Sequence, residues 1–171
     1  MAETLLTISG VGLPPMSARG CTQELIPIPN GEFRKTVNGA LVFVKTSDYQ
    51  RYRTIIKCSD MNCPAVGNIW MGSKVEIGCI QNIWQNADSS CHSIKLLKIP
   101  ADNSVVVIDE QQRYLKHILD EESVVHILDD NISGQIFISY RPKLDMLITD
   151  FRVETNEWEL KTSWILCAEE I

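Results

Sequence analysis

The sequence predicts an all-β fold, a β-sandwich or barrel of about eight strands. Three observations lead to this prediction. Polar and apolar residues alternate along much of the chain, most regularly at residues 74–79. The dipeptide Asn38-Gly39 separates two β-prone runs, which is typical of a β-hairpin. The chain has 171 residues, 44% hydrophobic and 22% charged, which is large and apolar enough to enclose a core.

Residues 1–31 are predicted to form a short strand, at residues 4–9, followed by an extended arm rich in proline. Consecutive prolines remove backbone donors and fix φ, so this stretch is neither a helix nor a central strand. We expect the arm to become ordered against a neighbouring subunit, so that deleting residues 1–29 leaves a folded monomer unable to assemble. The residues predicted to make this contact are Leu13, Pro14, Pro15, Met16, Leu25, Ile26 and Ile28.

Residues 32–171 are predicted to form a single β domain, which begins with a hairpin. Its strands cover residues 33–37 and 40–44, and Asn38-Gly39 supplies the two positive-φ positions of a type I′ turn. Two further strands follow at residues 51–60 and 74–79. Polar and apolar residues alternate over the whole of 74–79, so one face of that strand is expected to be buried. In 51–60 one face holds Tyr52, Thr54 and Ile56, and the other holds Arg51, Arg53, Ile55 and Lys57.

Residues 86–133 are interpreted as an insertion or elaboration of this domain. It has β-prone islands at 94–99 and 104–108. The stretch 111–130 fits two descriptions: one short helix, with Leu115 and Ile118 on its apolar face, or two short strands that include Val124 and Val125. Strands are predicted again at 135–140, 143–153 and 157–168, and the last places Trp158 and Trp164 on one face.

The charge disfavours nucleic acid as a partner, because 16 basic against 22 acidic side chains give a net −6. The one basic cluster, at residues 51–57, is interpreted as the solvated face of a strand. No segment resembles a signal peptide or a membrane span, so we expect no membrane partner and synthesis in the cytoplasm.

The six cysteines are interpreted first as packed thiols, and no cofactor or metal is predicted. Cys58 and Cys63 have the spacing of half a zinc site, but Cys79 and Cys91 are too far apart to complete it. A disulfide between Cys58 and either Cys63 or Cys79 is a possible pairing if the protein meets an oxidising environment.

The residues do not predict an enzyme. Cys91 and His92 are sequence neighbours and would point to opposite faces of an extended chain. The acidic pairs at 121–122 and 129–130 are typical of solvated loops rather than of a carboxylate pair that flanks a sugar. The tryptophans are interpreted as core or interface residues, with a sugar-stacking platform as the alternative; they are Trp70, Trp84, Trp158 and Trp164.

Several stretches read together resemble a known group of proteins. They are SGVGLPPMSARGCTQ (9–23), RKTVNG (34–39), YRTIIKCSD (52–60), GSKVEIGC (72–79), YRPKLDMLITDF (140–151), EW (157–158) and WILCAEEI (164–171). This ensemble resembles small virion structural proteins of tailed bacteriophages. The resemblance implies a homo-oligomeric, non-enzymatic subunit of the tail, neck, baseplate or head surface, made in the host cytoplasm and located in the virion. A carbohydrate- or receptor-binding β-module is the alternative.

Overall fold

A seven-stranded antiparallel sheet carries much of the chain in the computed structural model, which describes residues 4–67, 69–132 and 134–171. The strands, in chain order, are β1 (Thr7–Ile8), β2 (Thr22–Ile28), β3 (Gly31–Lys35), β4 (Leu41–Lys45), β5 (Arg51–Asp60), β6 (Lys74–Gly78), β7 (Ile83–Ala87), β8 (Ser93–Lys95), β9 (Ile99–Pro100), β10 (Val106–Asp109), β11 (His117–Leu119), β12 (Val124–Ile127), β13 (Ile136–Tyr140), β14 (Pro142–Asn156) and β15 (Lys161–Glu170).

Four sheets are formed by these strands. The main sheet has the order β1-β6-β14-β15-β5-β2, and β9 pairs with β14 beside it. The orders of the two three-stranded sheets are β10-β13-β7 and β11-β12-β8, and β3 pairs only with β4. The all-β prediction is therefore confirmed. Within the described ranges there is no helix and no sheet closes into a barrel, while the predicted sandwich stays a prediction.

Two separate clusters of buried side chains stabilise the fold. The first lies on the main sheet, where alternate residues of β5, β6, β14 and β15 are buried; its largest members include Ile56, Ile77, Met146, Trp164 and Leu166. The second lies in the middle of the chain and includes Val107, Val125, Ile136, Ile138 and Tyr140. Burying each such side chain stabilises the fold by about 1.5–3 kcal/mol. The predicted strands at 51–60, 74–79 and 135–140 are confirmed, because they correspond to β5, β6 and β13.

The middle of the chain contains strands where a helix was one of the two predictions. Residues 117–119 and 124–127 form β11 and β12, so the two-strand description is correct and the helix is wrong. The turn between them explains this, because Ser123 has a positive φ of 60° and the Asp120 carboxylate accepts the backbone N–H of Val124 at 2.8 Å. Both features interrupt the ladder of hydrogen bonds that a helix needs.

The segment predicted as an outward arm lies on the sheet of its own chain. Ser17 and Ala18 are buried, and the Trp164 indole Nε1–H donates to the Ser17 carbonyl oxygen at 2.8 Å. Residues 22–28 form β2, which is an edge strand paired with β5, and Pro27 is tolerated there because an edge strand needs no donor on its outer side. Deleting residues 1–29 would therefore remove part of the fold, contrary to the expectation of an intact monomer.

Two turns differ from their predictions. In the first hairpin, Phe33 pairs with Phe43 and only Gly39 of the two turn residues has positive φ, at 79°. The connection is thus a longer loop from Thr36 to Ala40, and the type I′ prediction is wrong by one step of register.

The last hairpin also turns later than predicted, because β14 continues to Asn156 and β15 begins only at Lys161. Its Asn156 side-chain oxygen accepts the backbone N–H groups of Trp158 and Glu159, at 3.0 and 3.2 Å, and so forms the turn. Trp158 therefore lies in the turn and not beside Trp164 on a strand face. In the described parts of the chain, no helix has the length and apolar character needed to cross a membrane.

Candidate interaction surface

The hairpin formed by β3 and β4 continues two strands of the main sheet. The ladder between β2 and β5 ends at the pair Ile28 and Arg51, and the ladder between β3 and β4 begins at Gly31 and Lys45. Between them, the Thr46 backbone N–H donates to the Asn30 carbonyl oxygen at 2.7 Å. Among the described strands neither β3 nor β4 has any other partner, so the hairpin stands free of the main sheet.

Glycine is required at the root of this hairpin. A Cβ atom at Gly31 would collide with the backbone carbonyl of Val44 on the partner strand. The two strands of the hairpin approach this closely where the hairpin leaves the sheet. Glycine alone permits such an approach without strain.

Both faces of the hairpin expose apolar side chains. On one face Phe33 and Phe43 are cross-strand partners with ring centroids 4.9 Å apart, and Phe33 is 70% exposed. Leu41 lies on the same face, and Val42 and Val44 lie exposed on the other. An isolated two-stranded hairpin is only marginally stable in water, and contiguous exposed apolar groups mark interaction sites. We call residues 31–45 the basic hairpin, because Arg34, Lys35 and Lys45 outnumber Glu32 and give it a net charge of +2.

A second exposed projection lies at the other end of the main sheet. It is the end of the last hairpin, residues 154–160, which we call the acidic tip because it holds three Glu and no Lys or Arg, a net −3. Every residue of the acidic tip is exposed, and Trp158 is 95% exposed. Leu160 adds a further exposed apolar side chain.

The strand register shows that the two projections are at opposite ends. Strand β5 pairs with β15 from Asp60 opposite Thr162 to Arg53 opposite Glu169. The acidic tip extends beyond the first of these pairs, and the basic hairpin begins beyond Arg51. Ten residues of β5 separate them, which at about 3.4 Å per residue is roughly 30 Å.

A buried ion pair joins the root of the basic hairpin to the rest of the chain. Lys98 and Glu170 are 8% and 7% exposed, and the Lys98 ammonium donates to the Glu170 carboxylate. The same carboxylate accepts the Tyr49 hydroxyl at 2.9 Å and the Tyr52 backbone N–H at 3.0 Å. Lys98 Nζ also lies 4.0 Å from the centroid of the Tyr49 ring, a cation–π contact. Three distant parts of the sequence are thereby held together just below the hairpin.

A second ion pair holds the N-terminal segment near the acidic end of the sheet. The Asp60 carboxylate accepts the Arg19 guanidinium at 2.7 Å, the Arg19 backbone N–H at 3.0 Å and the Met61 backbone N–H at 2.8 Å. Hydrogen bonding from the Arg19 side chain, helped by the backbone donors and opposed by burial, lowers the pKa of Asp60 from 3.8 to about 2. The charged form of Asp60 is therefore the form that stabilises the fold.

This shift predicts a pH-dependent effect of the substitution Asp60→Asn. The folded pKa lies below the unfolded value, so the contribution of the charge is complete above about pH 4 and is lost as the pH falls toward 2. We expect Asp60→Asn to lower the free energy of unfolding by about 1–2 kcal/mol at pH 7, since Arg19 is half exposed, and by less at pH 2.5. Urea unfolding at both pH values checks this, with Asp102→Asn, at an exposed ion pair, as the control. An equal loss at both pH values would contradict it.

A chain of polar contacts in the middle of the molecule has the residue types of a hydrolase triad. His126 Nδ1 lies 2.9 Å from the Ser93 hydroxyl, and His126 Nε2 lies 3.1 Å from Asp120 Oδ2. A serine hydrolase uses the two ring nitrogens in the opposite order, with Nε2 toward the serine. Ser93 and His126 are cross-strand neighbours with exposed and half-exposed side chains, and Asp120 already shapes the adjoining turn. This is a cross-strand network that fixes the turn, and we assign it no catalysis.

The other predicted site residues are dispersed over the fold. Trp164 is buried, whereas the other tryptophans are exposed on three separate elements: Trp70 in the loop before β6, Trp84 on β7 and Trp158 in the acidic tip. All six cysteines are free in this structure; Cys58 and Cys79 are core residues and Cys63 is half-buried. No group of three metal-ligating side chains is found among the described residues.

Sequence reasoning missed the Lys98–Glu170 pair and the contrast between the two projections. The charges of both projections are readable in the sequence, but their placement at opposite ends depends on the sheet order. No protein-family model, no curated protein and no solved structure matches the chain.

Proposed function

We propose that this chain is a non-enzymatic structural subunit that assembles head to tail, the basic hairpin of one copy binding the acidic tip of the next. The observation that carries the proposal is the presence of two exposed apolar projections of opposite charge at opposite ends of one sheet. The hairpin carries +2 on a chain whose net charge is −6, so the remainder of each copy carries −8 and attracts it.

Hydrophobic contact supplies the affinity in this proposal, and charge selects the partner. The exposed Phe33 and Leu41 of the hairpin would be covered by Trp158 and Leu160 of the next copy. A contact of one hairpin with another hairpin would bring like charges together, as would a contact between two tips. The favoured contact therefore joins two different surfaces, and such contacts produce closed rings or open filaments.

The proposed setting is the virion of a tailed bacteriophage, as a component of the tail, neck, baseplate or head surface made in the host cytoplasm. The resemblance carried by the two ends of the chain supports this setting. In this setting the partners of the chain are other copies of itself and other virion proteins.

Charge exchange between the two projections tests the proposal. Lys35→Glu with Lys45→Glu makes the hairpin acidic, and Glu157→Lys with Glu159→Lys makes the tip basic. We expect each double variant alone to self-associate at least about tenfold more weakly than the wild type, because its surfaces then repel. The quadruple variant should recover association, since the attraction is restored with the signs reversed. Sedimentation velocity over a range of concentration and salt measures all four proteins.

The control is Lys74→Glu with Lys116→Glu, which changes the net charge as much as the hairpin variant does but at exposed positions outside both projections. It should associate like the wild type. A wild type that stays monomeric at every concentration, or a quadruple variant that stays as weak as the double variants, would overturn the proposal. A monomer whose tryptophan fluorescence responds to added glycans would also overturn the proposal, and it would support the carbohydrate-binding alternative.

A further inference from the structure

Two cysteines far apart in the sequence face each other across the edge of the main sheet. The ladder between β2 and β5 begins with Thr22 opposite Lys57. One register step outward places Cys21 opposite Cys58. This juxtaposition differs from the Cys58–Cys63 and Cys58–Cys79 pairings that sequence spacing suggested.

The pair falls at the kind of position where side chains approach most closely. Antiparallel pairs alternate between hydrogen-bonded and non-hydrogen-bonded types. The Tyr52 backbone N–H donates to the Glu170 carboxylate and therefore points away from β2. Pro27, which lies opposite Tyr52 on β2, has no N–H to donate. Tyr52 and Pro27 therefore form a non-hydrogen-bonded pair. Cys58 lies six residues after Tyr52, and Cys21 lies six residues before Pro27, one position beyond the start of β2. Because the two types alternate along the ladder, a continued ladder makes Cys21 and Cys58 a pair of the same type. Cα atoms of such pairs are typically about 4.5 Å apart, within the range of about 4.4–6.8 Å that a disulfide spans.

The sulfur atoms are directed toward one another. The Cys21 thiol donates to the Ala18 carbonyl oxygen at 3.2 Å, and the Cys58 thiol donates to the Arg19 carbonyl oxygen at 3.4 Å. Both sulfurs therefore lie over the same two-residue stretch of backbone. Burial first, and then the neighbouring Cys58 thiol, raise the pKa of Cys21, so the Cys21 thiol stays protonated and reacts slowly.

An oxidant can reach this pair from solvent. Cys21 is only half-buried. A surface groove of about 390 Å³, lined by Gly20, Thr22, Ser59 and Trp164 among others, opens beside Cys58.

We propose that Cys21 and Cys58 form an intramolecular disulfide when the folded protein meets a low-molecular-weight disulfide such as oxidised glutathione. The more accessible Cys21 loses its proton and attacks one sulfur, which forms a mixed disulfide and releases one glutathione thiol. Cys58 then loses its proton and attacks the Cys21 sulfur, which releases the second. Two electrons and two protons pass from the cysteines to the two glutathione molecules, and one S–S bond is exchanged for another.

The bond would close a covalent loop around residues 22–57, which contain β2, the whole basic hairpin and most of β5. Its effect is to fasten the edge strand that carries the hairpin. It does not depend on the proposed assembly, because the two cysteines lie in one chain.

Peptide mapping of the full chain tests the pairing. After incubation with oxidised glutathione, the intact monomer should lose about 2 Da, for two hydrogens, and a non-reduced digest should contain linked peptides bearing Cys21 and Cys58. The melting temperature should rise by about 10 °C over the reduced protein. Cys21→Ser should abolish this rise, and Cys63→Ser and Cys91→Ser should keep it.

Alkylation of both Cys21 and Cys58 after oxidation, or a link from Cys58 to Cys63 or Cys79, would overturn the proposal. The peptide map uses the wild-type protein, so it identifies the linked cysteines even where a variant folds poorly. Self-association of the reduced protein is measured separately, so failure of the disulfide and failure of the assembly proposal are distinguishable.

Discussion

Replacing Lys98 with methionine is expected to lower the free energy of unfolding by about 3–4 kcal/mol, measured by urea unfolding at pH 7. The substitution removes the cation and leaves the Glu170 carboxylate almost fully buried. Breaking one side of a buried ion pair costs about 3–5 kcal/mol, because an uncompensated charge remains away from water. The loss falls in the lower part of that range, since Glu170 keeps the Tyr49 hydroxyl and the Tyr52 N–H as donors.

A second substitution separates the charge from the packing. In the Lys98→Met background, Glu170→Leu removes the stranded carboxylate and should recover at least half of the lost stability. The neighbouring exposed pair of Arg53 and Glu169 is the matched control, and Glu169→Gln should cost less than about 1 kcal/mol. If Lys98→Met were as mild as this control, the pair would not be the junction between the hairpin root and the rest of the chain.

Replacing Trp164 with alanine should lower the free energy of unfolding by about 3–5 kcal/mol. The side chain is 1% exposed in the main core, and its removal leaves a cavity between β15 and the N-terminal segment. Trp164→Phe keeps much of the volume but leaves the buried Ser17 carbonyl without its donor, and should cost about 1–3 kcal/mol. Urea unfolding measures both variants.

Trp158→Ala is the control for this prediction, because it removes the same side chain at an exposed turn and should change stability by no more than about 0.5 kcal/mol. A small effect of Trp164→Phe would mean that residues 17–18 do not dock on Trp164. Such a result would instead support the predicted N-terminal arm that does not pack on its own chain.

Local patterns predicted the strands well because alternation reports burial directly. The strands at 51–60 and 74–79 were predictable for this reason. The register of the first hairpin was not, because it depends on which turn residues adopt positive φ, and here Gly39 does so alone. A single step of register decides that Phe33 faces Phe43.

The candidate interaction surface was only partly predictable from sequence. The apolar strands of the hairpin suggest a buried face, and only the absence of a third strand or a covering layer in the described fold leaves them exposed. The Lys98–Glu170 contact spans 72 positions, and no local pattern signals it. Such long-range partners are set by sheet order, which short windows of sequence do not contain.

Pro27 has a consequence for the direction in which copies can be added. Its ring takes the place of an amide hydrogen on the outer rim of β2, so a strand from another molecule finds a gap in the row of donors it would need. At the opposite rim, β1 contributes only two residues. Side-by-side pairing of one main sheet with another, the route toward amyloid-like stacks, is therefore disfavoured at both margins of this sheet. In the proposed head-to-tail assembly, copies would instead be added parallel to the strands.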